Sequence, residues 1–187
     1  GIPVGEVRSS LPAAHPARLM AAERHRPCRA GDDWSWDGVR FRVLHPASDA
    51  DPENPRKTNA LSCVLKVEAA GRGVLLTSDI EAPDEAALLA RDAGALASEV
   101  VIAPHHGSRT SSTPAFVAAV HPAWVLFPVG YRNRFRHPHP DVWSRWSGAG
   151  VGMARTDAEG ALRVEVDAGG TRIDGARALA PRYWYGR

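Results

Sequence analysis

Two cysteines in 187 residues, Cys28 and Cys63, are too few for a disulfide framework, and they do not form the C-x-x-C pair of a metal site. Cys63 lies in an apolar strand pattern, which predicts a packed thiol, and the redox compartment stays open. Lysine is nearly absent: Lys57 and Lys66 are the only two, so almost every cation is Arg. A GC-rich genome accounts for that bias, and so would a phosphate ligand, because the planar guanidinium fork suits phosphate. No apolar run approaches the length of a transmembrane helix. Residues 1–20 lack the continuous apolar core of a signal peptide. No Walker loop, G-x-G-x-x-G or G-x-S-x-G occurs, which removes the common phosphate-loop, dinucleotide and serine-hydrolase signatures. The chain opens on Gly-Ile-Pro without Met, and so reads as an excised segment with natural residues upstream.

What is present is an ordinary globular composition. A 44% hydrophobic share over 187 residues suits one domain, or one and a fraction. The net charge of +2 is mildly basic and does not alone indicate nucleic acid. Fifteen prolines and 17 glycines mark many turns. There is no internal repeat and no low-complexity tract.

Along the chain, a Pro- and Ala-rich lead-in predicts a short helix over 16–25. Residues 34–44 alternate apolar and polar about Asp37-Gly38, the pattern of a hairpin with one face buried. A Pro/Asp/Asn loop covers 46–58. Strands follow at 61–67 and 74–77, joined by a turn at 70–73, and a helix opens at Pro83-Asp84-Glu85. A strand over 99–103 leads into Pro104-His105-His106-Gly107-Ser108, after which Thr113-Pro114 starts a helix through 119. A buried strand spans 123–128. The loop 129–140 is dense in Arg and His, and Pro140-Asp141 opens a helix through 146. Closing strands are expected at 150–156 and 161–166 around a turn at 157–160. Residues 167–187 read as a less ordered tail with one strand near 171–173. The division is 1–36 linker and short helix, 37–168 domain, and 169–187 tail.

Three features fall after strands, where an α/β fold places its chemistry. Asp79 ends the strand Leu75-Leu76-Thr77-Ser78. A carboxylate there can bridge two metal ions or simply cap the next helix. His105 and His106 are adjacent, so their side chains diverge; one suits a metal, the other a substrate or supporting contact. Two structural histidines would look the same. Ser108 and the amides opening the next helix suit a phosphate oxygen, although a turn serine is the plainer reading. The stretch from Tyr131 to Pro140 carries three arginines and two histidines among aromatics, which suits a polyanion, as does any charged surface loop. His15, His25, His45 and His121 read as structural.

The order of these pieces resembles the metallo-β-lactamase-like domain at the C-terminus of the ComEC DNA-internalisation proteins. The resemblance rests on Asn59-Ala60-Leu61-Ser62-Cys63-Val64-Leu65, Leu76-Thr77-Ser78-Asp79-Ile80, and Pro104-His105-His106-Gly107-Ser108 with Ser111-Ser112. It continues through Asn133-Arg134-Phe135-Arg136-His137-Pro138-His139-Pro140 and Arg155-Thr156-Asp157-Ala158-Glu159-Gly160-Ala161. It implies an αββα sandwich of two mixed sheets, and a two-metal phosphodiesterase site using Mn²⁺ or Zn²⁺. The implied parent is a bacterial inner-membrane channel with this domain soluble on its outer side, degrading the DNA strand that is not imported. The implied partners are single-stranded DNA, the parent's own channel part and other DNA-uptake proteins. The resemblance puts Asp79 and His105 on metal, and His106 and His137 in catalysis. Ser108, Asn133, Arg134, Arg136 and His139 fall to the substrate. Within each histidine pair, the ligand stays open.

Two departures matter. The family's first metal motif, a His/Asp-rich loop ending in Asp-His, is absent, so the chain reads as the second half of the domain, inactive alone. Ser78 stands where the family often has glycine, which crowds the backbone before Asp79. Two rivals stay open: a DNA-guiding module without metal, and a metallo-β-lactamase-type hydrolase acting on another ester.

Overall fold

Val100, Val101 and Ile102 send their side chains alternately to two faces, as a strand's period of two requires. Val101 joins Leu75, Val125 and Phe127 in one apolar cluster, while Val100 and Ile102 join Leu126 and Ala154 in another. The computed structural model describes residues 3–50 and 58–182. The elements are β1 (Val7–Ser9), α1 (Pro16–Ala21), β2 (His25–Pro27), β3 (Asp33–Trp36), β4 (Val39–His45), β5 (Val64–Ala69), β6 (Arg72–Leu76) and α2 (Ala82–Asp92). There follow β7 (Val100–Ile102), α3 (Pro114–Val120), β8 (Trp124–Phe127), α4 (Pro140–Gly148), β9 (Gly152–Arg155), α5 (Thr156–Glu159), β10 (Leu162–Asp167), β11 (Gly170–Gly175) and α6 (Ala176–Leu179).

Strands β3 to β9 form one seven-stranded sheet in chain order. From β3 to β6 neighbours are antiparallel, joined in two places by two-residue turns. Asp37-Gly38 has φ of 50° and 78°, and Ala70-Gly71 has 51° and 76°. Two successive left-handed residues match the twist of the flanking strands. From β6 to β9 neighbours are parallel, so each connection must cross over, and α2, α3 and α4 supply the crossovers. These helices bury Leu88, Phe116, Val120, Val142 and Trp146 on the face that carries Val101 and Val125. The other face is covered by the β10–β11 hairpin, whose Leu162, Val164 and Ile173 pack on Val100, Leu126 and Ala154.

The mixed α/β class is observed. Of the expected two-sheet sandwich, the described residues contain one large sheet and two two-stranded ones, β1–β2 and β10–β11. Three local expectations are corrected. The helix stops at Ala21 and the chain turns into β2. The strand expected from 61 starts at Val64, because Thr58–Leu61 forms a helical turn. The strands flanking 157–160 do not pair with each other: β9 is the sheet's edge, and β10 pairs with β11, which draws the supposed tail into the fold. The divisions drawn after residues 36 and 168 fall within the β3–β4 and β10–β11 hairpins. Most of the 46–58 loop and residues 183–187 lie outside the described residues.

The cysteines correct a further expectation: Cys28 and Cys63 form a disulfide, with Cα atoms 5.9 Å apart. The contact is tertiary, between the chain after β2 and the chain before β5, and spacing alone does not reveal it. It staples the lead-in to the residue beside Ser62, whose Oγ accepts the Asp79 N–H at 3.2 Å. Ser78 Oγ donates to the Cys63 carbonyl at 2.8 Å. Closing a separation of 35 residues is worth about 4 kcal/mol by chain entropy. Replacing both cysteines by serine is expected to lower unfolding free energy by about 2–4 kcal/mol in urea titration. Two free thiols in the oxidised, denatured protein would contradict the pairing.

Candidate metal centre

The parallel strands β6, β7 and β8 end at one edge of the sheet, and the three loops that carry the predicted chemistry leave from there. The middle loop turns through an unusual backbone: His105, His106 and Gly107 have φ of 47°, 57° and 81°. Left-handed torsions cost a non-glycine residue free energy, so surrounding contacts must hold them. His105 N–H donates to the Ser78 carbonyl at 3.0 Å, and Ser108 N–H to the His105 carbonyl at 2.9 Å. Ser111 Oγ donates to the Pro104 carbonyl at 2.7 Å. Glu85, fully buried on α2, accepts the Ser112 and Thr113 amides, and burial pushes its carboxyl up. Gly107 is required for space as well as torsion. A Cβ there would stand 2.7 Å from Pro138 Cβ and 2.9 Å from Phe127 Cδ1. His139 N–H donates to the Gly107 carbonyl at 2.8 Å, so the loops carrying the two histidine pairs are docked on each other.

The bend sends the two imidazoles to different carboxylates. His106 Nε2 lies 3.3 Å from Asp79 Oδ1. His105 Nδ1 lies 3.4 Å from Glu81 Oε1 and 3.3 Å from Thr110 Oγ1. Adjacent left-handed residues diverge, and it is His106, the second one, that meets the strand-end carboxylate, while His105, expected on metal with Asp79, faces Glu81. His106 Nδ1 is 2.8 Å from the Pro128 carbonyl. A carbonyl only accepts, so Nδ1 carries the proton. Nε2 then faces a carboxylate either as a cationic N–H or as a bare lone pair beside an ion. His137 completes the group, its ring centroid 6.2 Å from that of His105 and 5.7 Å from that of Phe135, on which it stacks. Burial first, then the charges of His105, His106 and His139, hold His137 below the usual imidazole range. Its Nδ1 is buried with no hydrogen-bond partner among the described residues.

Asp79, His105, His106 and His137 thus share one rim. Several residues expected on the substrate are engaged elsewhere. Ser108 is buried, with its hydroxyl on Thr110 Oγ1, so it braces the loop. Asn133 spends both ends of its amide on the His137 backbone, at 2.7 and 3.0 Å. His139 caps α4, its Nδ1 accepting the Asp141 N–H. Arg134 and Arg136 are exposed, as a polyanion contact requires. Ser78 has φ of 51°, a left-handed torsion that glycine adopts at less cost than serine. Reading the sequence missed Glu81; its signal was the second carboxylate two residues past Asp79. Ser62 and the Pro128 carbonyl carried no signal, because their roles exist only in the folded loops.

Donors about 2.0–2.1 Å from one tetrahedral ion stand about 3.3–3.4 Å apart. The Asp79–His106 separation matches, and the Nδ1–H bond to Pro128 is the outer contact that orients a ligand histidine. These two residues fit two corners of a divalent site. Among the described residues no group of three or more His, Cys, Asp or Glu side chains is placed to hold an ion.

The chain is 33% identical over 183 residues to competence protein ComA of Neisseria gonorrhoeae, a match covering 98% of this chain and 25% of that protein. It is 34% identical over 163 residues to the uncharacterized protein YcaI of Escherichia coli, 87% of this chain and 21% of YcaI. To recombination protein 2 of Haemophilus influenzae it is 33% identical over 174 residues, 92% of this chain and 21% of that protein. The chain therefore spans a quarter or less of these relatives. A structure described as a Zn-dependent hydrolase of the metallo-β-lactamase superfamily, from Thermotoga maritima, aligns at a TM-score of 0.36 and 14% identity, over 70% of this chain and 61% of that one. No protein-family model matches.

The docking of the two loops gives a direct expectation. Gly107→Ala should lower unfolding free energy by about 2 kcal/mol or more in urea titration. It should also shift the His137 and His139 imidazole resonances. Wild-type stability in the variant would contradict the close approach.

Proposed function

We propose a function from one premise: this chain belongs to the ComEC-type competence proteins, as a segment about a quarter of their length. In the complete protein, the rim formed by Asp79 and His106 is part of a divalent-metal phosphodiesterase site, and its substrate is the DNA strand that is not imported. The observation that carries this reading is the 3.3 Å approach of His106 Nε2 to Asp79 Oδ1, with Nδ1 anchored on Pro128.

Asp79 and His106 would hold a Mn²⁺ or Zn²⁺ ion, and a bound ion supplies Lewis-acid activation of water and of the phosphoryl oxygen. Two ligands bind such an ion weakly, so the remaining ligands come from residues beyond those described, and the chain alone is inactive. His106 takes the ligand role in this proposal. His137, whose pKa burial lowers, stays the candidate proton carrier. His105 sits between Glu81 and His137 and orders the rim. Arg134 and Arg136 meet the DNA backbone.

The disulfide supports a place on the oxidising, outer side of the inner membrane, because such bonds persist in the periplasm and not in the cytosol. No helix among the described residues is long and apolar enough to cross a membrane. Attachment is therefore assigned to the rest of the parent, with the channel part and other DNA-uptake proteins as partners.

Joining the natural upstream segment to this chain and assaying a labelled single strand with Mn²⁺ tests the reading. Cleavage is expected that chelator abolishes and that Asp79→Ala and His106→Ala each reduce at least about 100-fold. No cleavage above the Asp79→Ala control would overturn it. Salt-dependent binding indifferent to chelator would then favour a guiding module.

A further inference from the structure

Tyr131 and Phe135 are large aromatics left 65% and 64% exposed, on the one loop that already docks against the histidine bend. Exposure of that kind on two rings of one loop marks a contact surface. Each ring carries a cation: the Arg132 guanidinium lies 5.2 Å from the Tyr131 centroid, and that of Arg134 lies 4.8 Å from the Phe135 centroid. Residues 129–140 contain three arginines and two histidines and no Asp or Glu. Asn133 clamps the loop through its two bonds to the His137 backbone, so Phe135 is held in place.

Behind Phe135 lies a cavity of about 200 Å³, walled by Phe135, His137, Val129, Pro128 and His106. That is below the roughly 300–1,000 Å³ of a pocket for a drug-sized molecule, and suits one ring system. His106 lines this cavity and also faces Asp79, so a ring held here would bring its attached backbone to the rim. We propose that this cavity is a nucleobase subsite: one unpaired base enters beside Phe135 and His137, while Arg132, Arg134 and Arg136 take the flanking phosphates. The proposal rests on the DNA-strand reading of the rim and adds how the strand is recognised.

Two properties follow from the wall. Asn133 is spent on the His137 backbone and His106 Nδ1 on Pro128, which leaves His137 Nδ1 as an unpartnered polar atom in the wall, so recognition is chiefly by stacking and shape and tolerates most sequences. A base inside a duplex is stacked and paired and cannot enter, so the subsite selects single strands.

The test is fluorescence anisotropy of this chain with a labelled oligothymidylate, its abasic counterpart and a duplex, at low salt with EDTA so that no cleavage intervenes. The single strand should bind more tightly than the other two. Phe135→Ala should weaken oligothymidylate about 5- to 140-fold, the span of one aromatic–base stack, and leave the abasic strand unchanged. Phe135→Trp should restore it. Phe135 is exposed, so its truncation spares the core. Equal affinity for base-bearing and abasic strands, or an equal Phe135→Ala loss on both, overturns the subsite and leaves the aromatic face to a protein partner. Base-dependent binding in a reconstituted protein that never cleaves would refute the hydrolase reading alone.

Discussion

The rim depends on three consecutive left-handed residues, His105, His106 and Gly107. Such a run is unfavourable in isolation, and here it is held from every side. The Ser78 carbonyl receives the His105 amide, Ser111 ties down the Pro104 carbonyl, and Glu85 gathers the amides of Ser112 and Thr113. Pro138 closes over the one position that tolerates no side chain. Adjacent side chains leave this bend in different directions, so one imidazole reaches Asp79 and the other Glu81.

The sheet explains why these loops are neighbours at all. β6 is antiparallel to β5 and parallel to β7. From that change onward the strands end at the same edge, and α2, α3 and α4 return the chain behind them. Asp79, the histidine bend and the Arg/His loop follow three successive parallel strands, so their meeting is set by topology and sharpened by loop contacts. The disulfide works on the same place from the other side, since the Cys63 carbonyl accepts the Ser78 hydroxyl and Ser62 Oγ accepts the Asp79 N–H.

Much of this was legible in the sequence, for local reasons. Asp37-Gly38 between alternating residues announced a hairpin, Thr113-Pro114 a helix start, and the apolar run into Ala103-Pro104 a strand leading to a loop. Asp79 and the histidine doublet stood out because polar residues at the ends of buried strands need a reason. What escaped depended on contacts between loops. The Cys28–Cys63 bond joins segments that only the fold brings together. Asn133 and His139 read as substrate contacts by type, and their bonds to the His137 backbone and the Asp141 amide are set by placement that type does not disclose. Which imidazole meets Asp79 is decided by backbone torsions that residue identity does not disclose.

The most direct measurement is a zinc titration followed through the histidine imidazole nitrogens of this chain by NMR. The account predicts that His106 Nε2 shifts first while its Nδ1 keeps the proton shared with Pro128, and that the Asp79 carboxyl carbon moves with it. Shifts that begin at His105, or at His15 and His25 on the lead-in, with His106 and Asp79 unmoved, would contradict it.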